Sequence, residues 1–253
     1  MRYFLLFWAI GWAFFPAFSQ AITSDVYSYT QLPVINYTGY EERTLLEGAT
    51  RDFSHLLVQA MTLQANQPGQ PTQQLEEEAV LIIKAGELTL TLGGKRKTLG
   101  PGSVVVIMPG DDYLIENKAA QSLTYYFIRY TSNEVPDLDI FQLMGHSYWI
   151  DWQQVAFTDD KRGRDRRMVP CFSVMSSRFA LQVTTLNPGS ERYPPHTHRA
   201  AELSLILDHP VQVEIDGTMK RAQVGDLIFV ESDISHSIQN SSQEGSTFFS
   251  LQF

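Results

Sequence analysis

Hydrophobic and polar residues alternate along many short segments of this chain, which is the pattern of half-buried β-strands. Residues 88–92 alternate clearly, residues 80–83 and 104–108 are short apolar runs rich in β-branched residues, and Gly-Gly and Pro-Gly pairs lie between such segments. Segments with helical periodicity are few. Short strands with turn residues between them predict an all-β protein built as a barrel or a sandwich.

The strand pattern occurs twice. The sequence pattern of residues 102–107 and 113–117 recurs at residues 225–230 and 236–240, without an insertion in either copy. Two copies predict two tandem barrels. The predicted organisation is a signal segment at 1–20, an N-terminal arm at 21–52, a first barrel at 53–132, a linker at 133–170 and a second barrel at 171–253.

A set of metal-binding side chains lies in the second copy. His196 and His198 are two positions apart, so on a strand both point to the same face. Glu202 follows at an even offset, and His236 would arrive from a partner strand. Three imidazoles and one carboxylate suit manganese, iron, nickel or zinc and leave positions open for water or substrate.

At these residues the sequence resembles the cupin superfamily, whose two motifs read G-x5-H-x-H-x3,4-E-x6-G and G-x5-P-x-G-x2-H-x3-N. His196, His198 and Glu202 match the first motif, and Gly225, His236 and Asn240 match the second. Turn positions differ: Gly189 is one position early, His209 stands at the last glycine of the first motif, and Glu231 and Asp233 replace the proline and glycine of the second.

The resemblance implies two double-stranded β-helix (jelly-roll) barrels and assigns the metal ligands to His196, His198, Glu202 and His236. It implies one divalent transition metal ion, with manganese expected first and iron, nickel or zinc as alternatives. In the first copy the corresponding positions hold Gln73, Leu75, Ala79 and Tyr113. That barrel is therefore expected to bind no metal.

The layout is similar to the ureidoglycine aminohydrolase group of two-barrel cupins, which has a ligand-poor first barrel, an N-terminal arm and a metal in the second barrel. That group uses a Glu, two His and a Gln as ligands in a different order. The three-His, one-Glu set is instead similar to germin-like and dioxygenase cupins. The expected function is a metal-dependent enzyme that hydrolyses, oxidises or isomerises a small polar molecule. The alternative is a non-catalytic protein that binds a small ligand.

Hydrolysis or isomerisation would also need a general acid or base. Tyr193 and Glu231 are the candidates, with Asp233 beside them at the expected pocket mouth. In residues 178–186, Arg178 and Gln182 share the polar face of an alternating segment. They are candidate substrate contacts if that face lines the cavity, and outer-surface residues if it does not.

The N-terminus reads as a secretory signal, with Arg2 before an apolar run at 4–15 and small residues at 17–19. We therefore expect export, most simply to a bacterial periplasm, without a stable membrane anchor. Cys171 is the single cysteine, which excludes an intramolecular disulfide.

A formal net charge of −9 argues against a nucleic-acid partner. A basic run at 161–167 is either a solvated linker or a surface that steers an anionic substrate. The expected partner is a small molecule. Cupin barrels often pair through sheet edges, so the chain is expected to be a monomer or a homodimer.

Overall fold

The computed structural model describes residues 20–67, 71–169 and 173–253. The predicted signal segment, apart from Gln20, and Cys171 lie outside these ranges. None of the helices within them has the length and apolar character needed to cross a bilayer.

The described residues form twenty strands, one short α-helix and one 3₁₀-helix. They are β1 Asp25–Tyr27, β2 Ile35–Tyr37, β3 Tyr40–Gly48, β4 Phe53–Leu63, β5 Glu78–Ala85, β6 Leu88–Leu92, β7 Lys95–Leu99, β8 Val104–Ile107, β9 Tyr113–Glu116, β10 Leu123–Ser132, α1 Leu138–Met144, β11 Tyr148–Ile150, the 3₁₀-helix Trp152–Gln154, β12 Thr158–Asp160, β13 Gly163–Val169, β14 Ala180–Leu186, β15 Glu202–Ile206, β16 Val211–Ile215, β17 Thr218–Ala222, β18 Leu227–Val230, β19 His236–Asn240 and β20 Ser246–Gln252.

Each barrel has a seven-stranded and a three-stranded sheet. The strand orders are β11-β8-β5-β10-β4-β3-β2 and β7-β6-β9 in the first barrel, and β1-β18-β15-β20-β14-β13-β12 and β17-β16-β19 in the second. The strand pairs are antiparallel. These paired sheets confirm the predicted all-β fold of two tandem jelly-roll barrels.

The predicted arm and linker both contribute strands. In the arm, β3 extends the first barrel through β4, whereas β1 crosses to pair with β18 of the second barrel. In the linker, β11 pairs with β8 of the first barrel and β13 pairs with β14 of the second. A strand of three residues, such as β1, is too short to show an alternating pattern. Its pairing also cannot be predicted from nearby sequence, because its partner β18 lies some two hundred residues away.

The two barrels share one hydrophobic core. It is formed by side chains on the faces that the two seven-stranded sheets turn toward each other. At its centre, Phe53 stacks on Tyr130 with a ring-centroid distance of 4.4 Å and on Phe253 at 4.3 Å, and Tyr130 stacks on Phe179 at 5.3 Å. This packing fixes the two barrels to each other, and each barrel has a further hydrophobic cluster between its own two sheets.

Candidate metal centre

Three histidines of the second barrel converge in space. The potential ligand nitrogens of His196, His198 and His236 all lie within 4.8 Å of one another. An isolated antiparallel bridge joins the backbones of His196 and His236. His198 lies two residues beyond His196, so its side chain is directed to the same side of the segment. The even spacing seen in the sequence therefore brings the three rings together.

Each imidazole is oriented by a hydrogen bond to a backbone carbonyl close in the chain. The Nδ1 atom of His196 lies 3.0 Å from Pro194 O, that of His198 2.8 Å from Ala200 O, and that of His236 2.9 Å from Ile234 O. A carbonyl only accepts hydrogen bonds, so each Nδ1 carries the proton. The neutral form of each ring then presents the lone pair of Nε2, which is the tautomer a metal ligand requires.

Glu202 lies beside this group at the start of β15. One carboxylate oxygen, Oε2, lies 3.4 Å from His198 Nε2 and 3.8 Å from His236 Nε2. The other oxygen, Oε1, accepts hydrogen bonds from the hydroxyls of Ser250 and Ser204. Gln252 donates to Oε2 at 2.8 Å. The carboxylate is thus held with one oxygen facing the imidazoles of His198 and His236.

The electrostatics of the site favour an ionised carboxylate. Burial raises the pKa of Glu202, but the neighbouring imidazoles of His198 and His236 and the hydrogen bonds from Ser250 and Gln252 outweigh burial and hold this pKa well below its usual range. The Glu202 carboxylate, 3.4 Å from His198 Nε2, raises the pKa of His198. A buried negative charge beside imidazole lone pairs attracts a positive charge, which is either a proton on His198 or a metal ion.

The donor set fits a divalent transition metal ion. Within the described part of the chain, His198 Nε2 and His236 Nε2 are buried and have no hydrogen-bond partner. A buried polar atom without a partner costs about 1–3 kcal/mol, so two such atoms facing one carboxylate need an explanation. An ion bound by these nitrogens and by Glu202 would satisfy all of them at once.

The turn positions that depart from the cupin motifs keep the backbone conformation of glycine. His209 has φ 26° and Asp233 has φ 64°. The equivalent residues of the first barrel are Gly86, with φ 82°, and Gly110, with φ 78°. Asp and His adopt this left-handed region more readily than most residues. The strands that carry Glu202 and His236 therefore keep their places although the glycines are gone.

The other candidate site residues separate into two groups. Gln182 and Tyr193 line the small cavity above the histidines, so the polar face of β14 is the one that faces the cavity. Arg178 lies before β14 and pairs with Glu134 at 3.8 Å. Glu231 is exposed beside Ser24, and Asp233 pairs with Arg51 at 2.9 Å. These last three lie away from the cavity.

The structure adds three polar residues that the sequence reading did not single out. Arg192, Ser250 and Gln252 all line the cavity. Arg192 forms an ion pair with Asp165 of β13, and its guanidinium lies 5.2 Å from the ring centroid of Tyr193. The basic run is part of this wall, since Arg162 donates to Arg192 O at 2.6 Å. Alternation of polar residues along β20 was the one signal that pointed to Ser250 and Gln252.

Fold and site together define a two-barrel cupin fold with a histidine triad in its second barrel. The family model described as a cupin domain matches residues 182–251, which form most of that barrel.

Solved structures support the same architecture. An oxalate decarboxylase from Lactobacillus farciminis, described as a formate complex, is 12% identical, with a TM-score of 0.72 over 94% of this chain and 88% of its own. An oxalate decarboxylase from Bacillus subtilis, described with Mn(II) centres, is 13% identical, with a TM-score of 0.69 over 94% and 79%. A putative glyoxylate-induced protein from Pseudomonas aeruginosa is 19% identical, with a TM-score of 0.70 over 87% and 84%. At these identities the likeness establishes the fold.

Proposed function

We propose that this protein is a metal-dependent cupin enzyme that acts on a small polar molecule in its second barrel. His196, His198, Glu202 and His236 would hold one divalent transition metal ion. The observation that carries the proposal is the pair of buried, unpartnered nitrogens, His198 Nε2 and His236 Nε2, directed at the ionised Glu202. Manganese is the ion we favour, because the structurally similar Bacillus subtilis protein is described with Mn(II) centres.

The cavity over the histidines supports a very small substrate. Its volume is about 30 Å³, and a single water needs at least about 10–15 Å³. A bound ion supplies Lewis acidity and open coordination positions. The residues of the chain then set the selectivity: Arg192 and Gln182 offer hydrogen-bond donors to a polar or anionic group, whereas Ile238 and Phe248 form the apolar part of the wall.

Tyr193 is the candidate acid or base that the cavity supports best. Its ring meets that of His196 edge-on with centroids 5.4 Å apart, and the side chain is 42% exposed. Its hydroxyl can therefore exchange protons with solvent while the ring covers the triad. Glu231 would need to move from Ser24 to reach the cavity, so it is the weaker candidate.

We do not propose the ureide substrate of the ureidoglycine aminohydrolase group for this site, because the ligand sets differ. The proposed ligand set contains three histidines in place of that group's two His and a Gln, although the two-barrel layout is shared. We propose that the chain is exported, on the basis of its N-terminal segment, and acts as a monomer or homodimer without nucleic acid.

Turnover of small carboxylates tests the proposal. Metal-stripped protein reloaded with Mn²⁺, Fe²⁺, Ni²⁺ or Zn²⁺ would be assayed first with oxalate, by product analysis and oxygen uptake, and then with other small polar molecules. We expect activity with at least one ion and its loss in His198→Ala and Glu202→Gln. Tyr193→Phe should lower kcat more than it raises KM. Activity that survives complete removal of the ion contradicts the proposal, and tight binding of a small ligand without turnover would favour the non-catalytic alternative.

A further inference from the structure

A large cavity opens into the first barrel, lined by residues of β3, β4, β9 and β10. Its volume is about 670 Å³, compared with about 30 Å³ for the cavity over the histidine triad. Pockets of about 300–1,000 Å³ are the usual size for sites that bind small organic molecules. The barrel that lacks the histidines therefore holds more space for a ligand than the barrel that carries them.

We propose that the first barrel binds a small organic carboxylate with a planar body, and that Arg129 holds the carboxylate without a metal ion. The proposal stands independently of the function proposed for the second barrel, since the two cavities lie in different barrels and share no residue.

Strand register places Arg129 in this cavity. Along β10, Tyr125, Phe127 and Arg129 line the cavity, whereas Tyr126, Ile128 and Tyr130 face the core shared by the two barrels. The alternation is that of an ordinary strand. The guanidinium is therefore fixed on the cavity side by the packing of its neighbours.

Arg129 occupies the position in the first barrel that Gln252 occupies in the second. It pairs with Ala79 in the register in which Gln252 pairs with Glu202. In the second barrel Gln252 donates to the Glu202 carboxylate, but in the first barrel that carboxylate is absent. The first barrel thus has a cation where the second has a neutral amide, and a methyl group where the second has the acceptor.

The Arg129 guanidinium has more N–H donors than its ion pair with Glu77 uses. Its Nε is buried, makes no hydrogen bond within the described residues, and lies 3.5 Å from one oxygen of Glu77. Arginine offers five N–H donors, so this one ion pair leaves several free for a carboxylate in the cavity.

Glu42 is the one acidic residue among those that line the cavity in the described part of the chain. Gln59 donates to it at 2.6 Å. In the strand register Glu42 stands across from Met61, which on its other side stands across from Tyr125, whereas Arg129 stands across from Leu57. Four residues along a strand correspond to about 13 Å, so Glu42 lies toward the other end of the cavity and does not neutralise Arg129.

Aromatic walls favour a planar body between these ends. The ring of Phe127 meets Tyr125 edge-on at a centroid distance of 6.3 Å and is tilted against Tyr113 at 6.5 Å. The hydroxyl of Tyr113 donates to Gln73 Oε1 at 2.9 Å, which fixes both polar groups. Edge-to-face contacts of this kind accept a further ring readily.

Phenylacetate, which is too large for the second-barrel cavity, is a suitable probe. Isothermal titration would use the full chain after chelation, with phenylacetamide as the neutral analogue. We expect phenylacetate to bind at least about tenfold more tightly than phenylacetamide, and Arg129→Gln to remove this preference. The substitution Leu75→Trp, which fills the cavity but keeps Arg129, should also abolish binding. Arg96→Gln, at an exposed pair with Glu116, is the charge-matched control and should bind as the wild type does.

Several outcomes would overturn the proposal. They are the absence of phenylacetate binding up to about 20 mM, equal binding by Arg129→Gln and wild type, and loss of binding in His236→Ala, which would place the probe in the second barrel. Circular dichroism checks that each variant is folded. If Arg129→Gln does not fold, the comparison of phenylacetate with phenylacetamide, together with Leu75→Trp, decides the matter.

Discussion

His196 and His236 exchange two backbone hydrogen bonds, with N···O distances of 3.1 Å and 3.0 Å, and their ring centroids lie 4.7 Å apart. The backbone therefore sets the spacing of the two imidazoles independently of any ion. In the first barrel Gln73 and Tyr113 form the same bridge, with both distances at 2.9 Å. The two barrels share the scaffold of the site and differ in the side chains placed on it.

Residues behind Glu202 should tune metal affinity. Ser250→Ala or Gln252→Leu removes a hydrogen bond that orients the carboxylate, and losses of this kind typically weaken metal binding about 10–100-fold. Competition titration with a chelating dye would measure the change in Kd. Gln212→Leu, at an exposed position of β16, is the control and should bind metal normally. Unchanged affinity in both site variants would show that Glu202 is not a ligand.

Substitutions at two equivalent asparagines distinguish an effect on stability from an effect on metal binding. Asn240 donates to Leu186 O and Glu244 O, and Asn117 donates to Leu63 O and Gln121 O, at the same places in the two barrels. Replacing either by Ala leaves buried groups unpaired and should lower the free energy of unfolding by about 2 kcal/mol.

Only Asn240→Ala should also weaken metal binding, because Asn240 ends the strand that begins with His236. Urea unfolding and metal titration of the two variants test this. If Asn117→Ala weakened metal binding to the same degree, the effect would be global, and the site would not depend on its own barrel alone.

Glu78 should make stability depend on pH. This side chain is fully buried at the start of β5, and burial raises its pKa to about 7, although the Tyr130 hydroxyl and the Met175 amide partly offset the rise. The folded protein therefore binds the Glu78 proton more tightly than the unfolded chain does. The contribution to the free energy of unfolding is largest below pH 4.5, falls as the pH rises to about 7, and is level above that.

From the two pKa values, 4.5 and about 7, the loss is on the order of 3 kcal/mol. Glu78→Gln should remove it, so that the variant gains stability relative to the wild type between pH 5 and pH 8. Urea unfolding at both pH values measures the gain, with the exposed Glu76→Gln as the control. An equal pH dependence in wild type and Glu78→Gln would show that Glu78 ionises normally.

The sequence predicted the fold and the histidine cluster because both depend on local periodicity. Alternation identified the strands, the repeat identified two barrels, and the even spacing of His196 and His198 placed both on one face. His236 was assigned through its match to the second cupin motif, together with Gly225 and Asn240.

Features set by distant strand pairing could not be predicted. Arg192 enters the cavity because the segment before His196 lies against β19, and Arg178 lies outside because β14 begins two residues later, at Ala180. The pairing of β1 with β18, and the large cavity of the first barrel, likewise depend on how distant segments meet in three dimensions.

Metal content of the purified full chain tests the central claim most directly. Elemental mass spectrometry would compare the wild type with His236→Ala and with Tyr113→Ala, the equivalent change in the first barrel. We predict about one transition metal ion per chain in the wild type and in Tyr113→Ala, and a loss of that ion in His236→Ala. A wild-type protein that takes up no ion after reloading, or a His236→Ala variant that retains it in full, would contradict the assignment of the site.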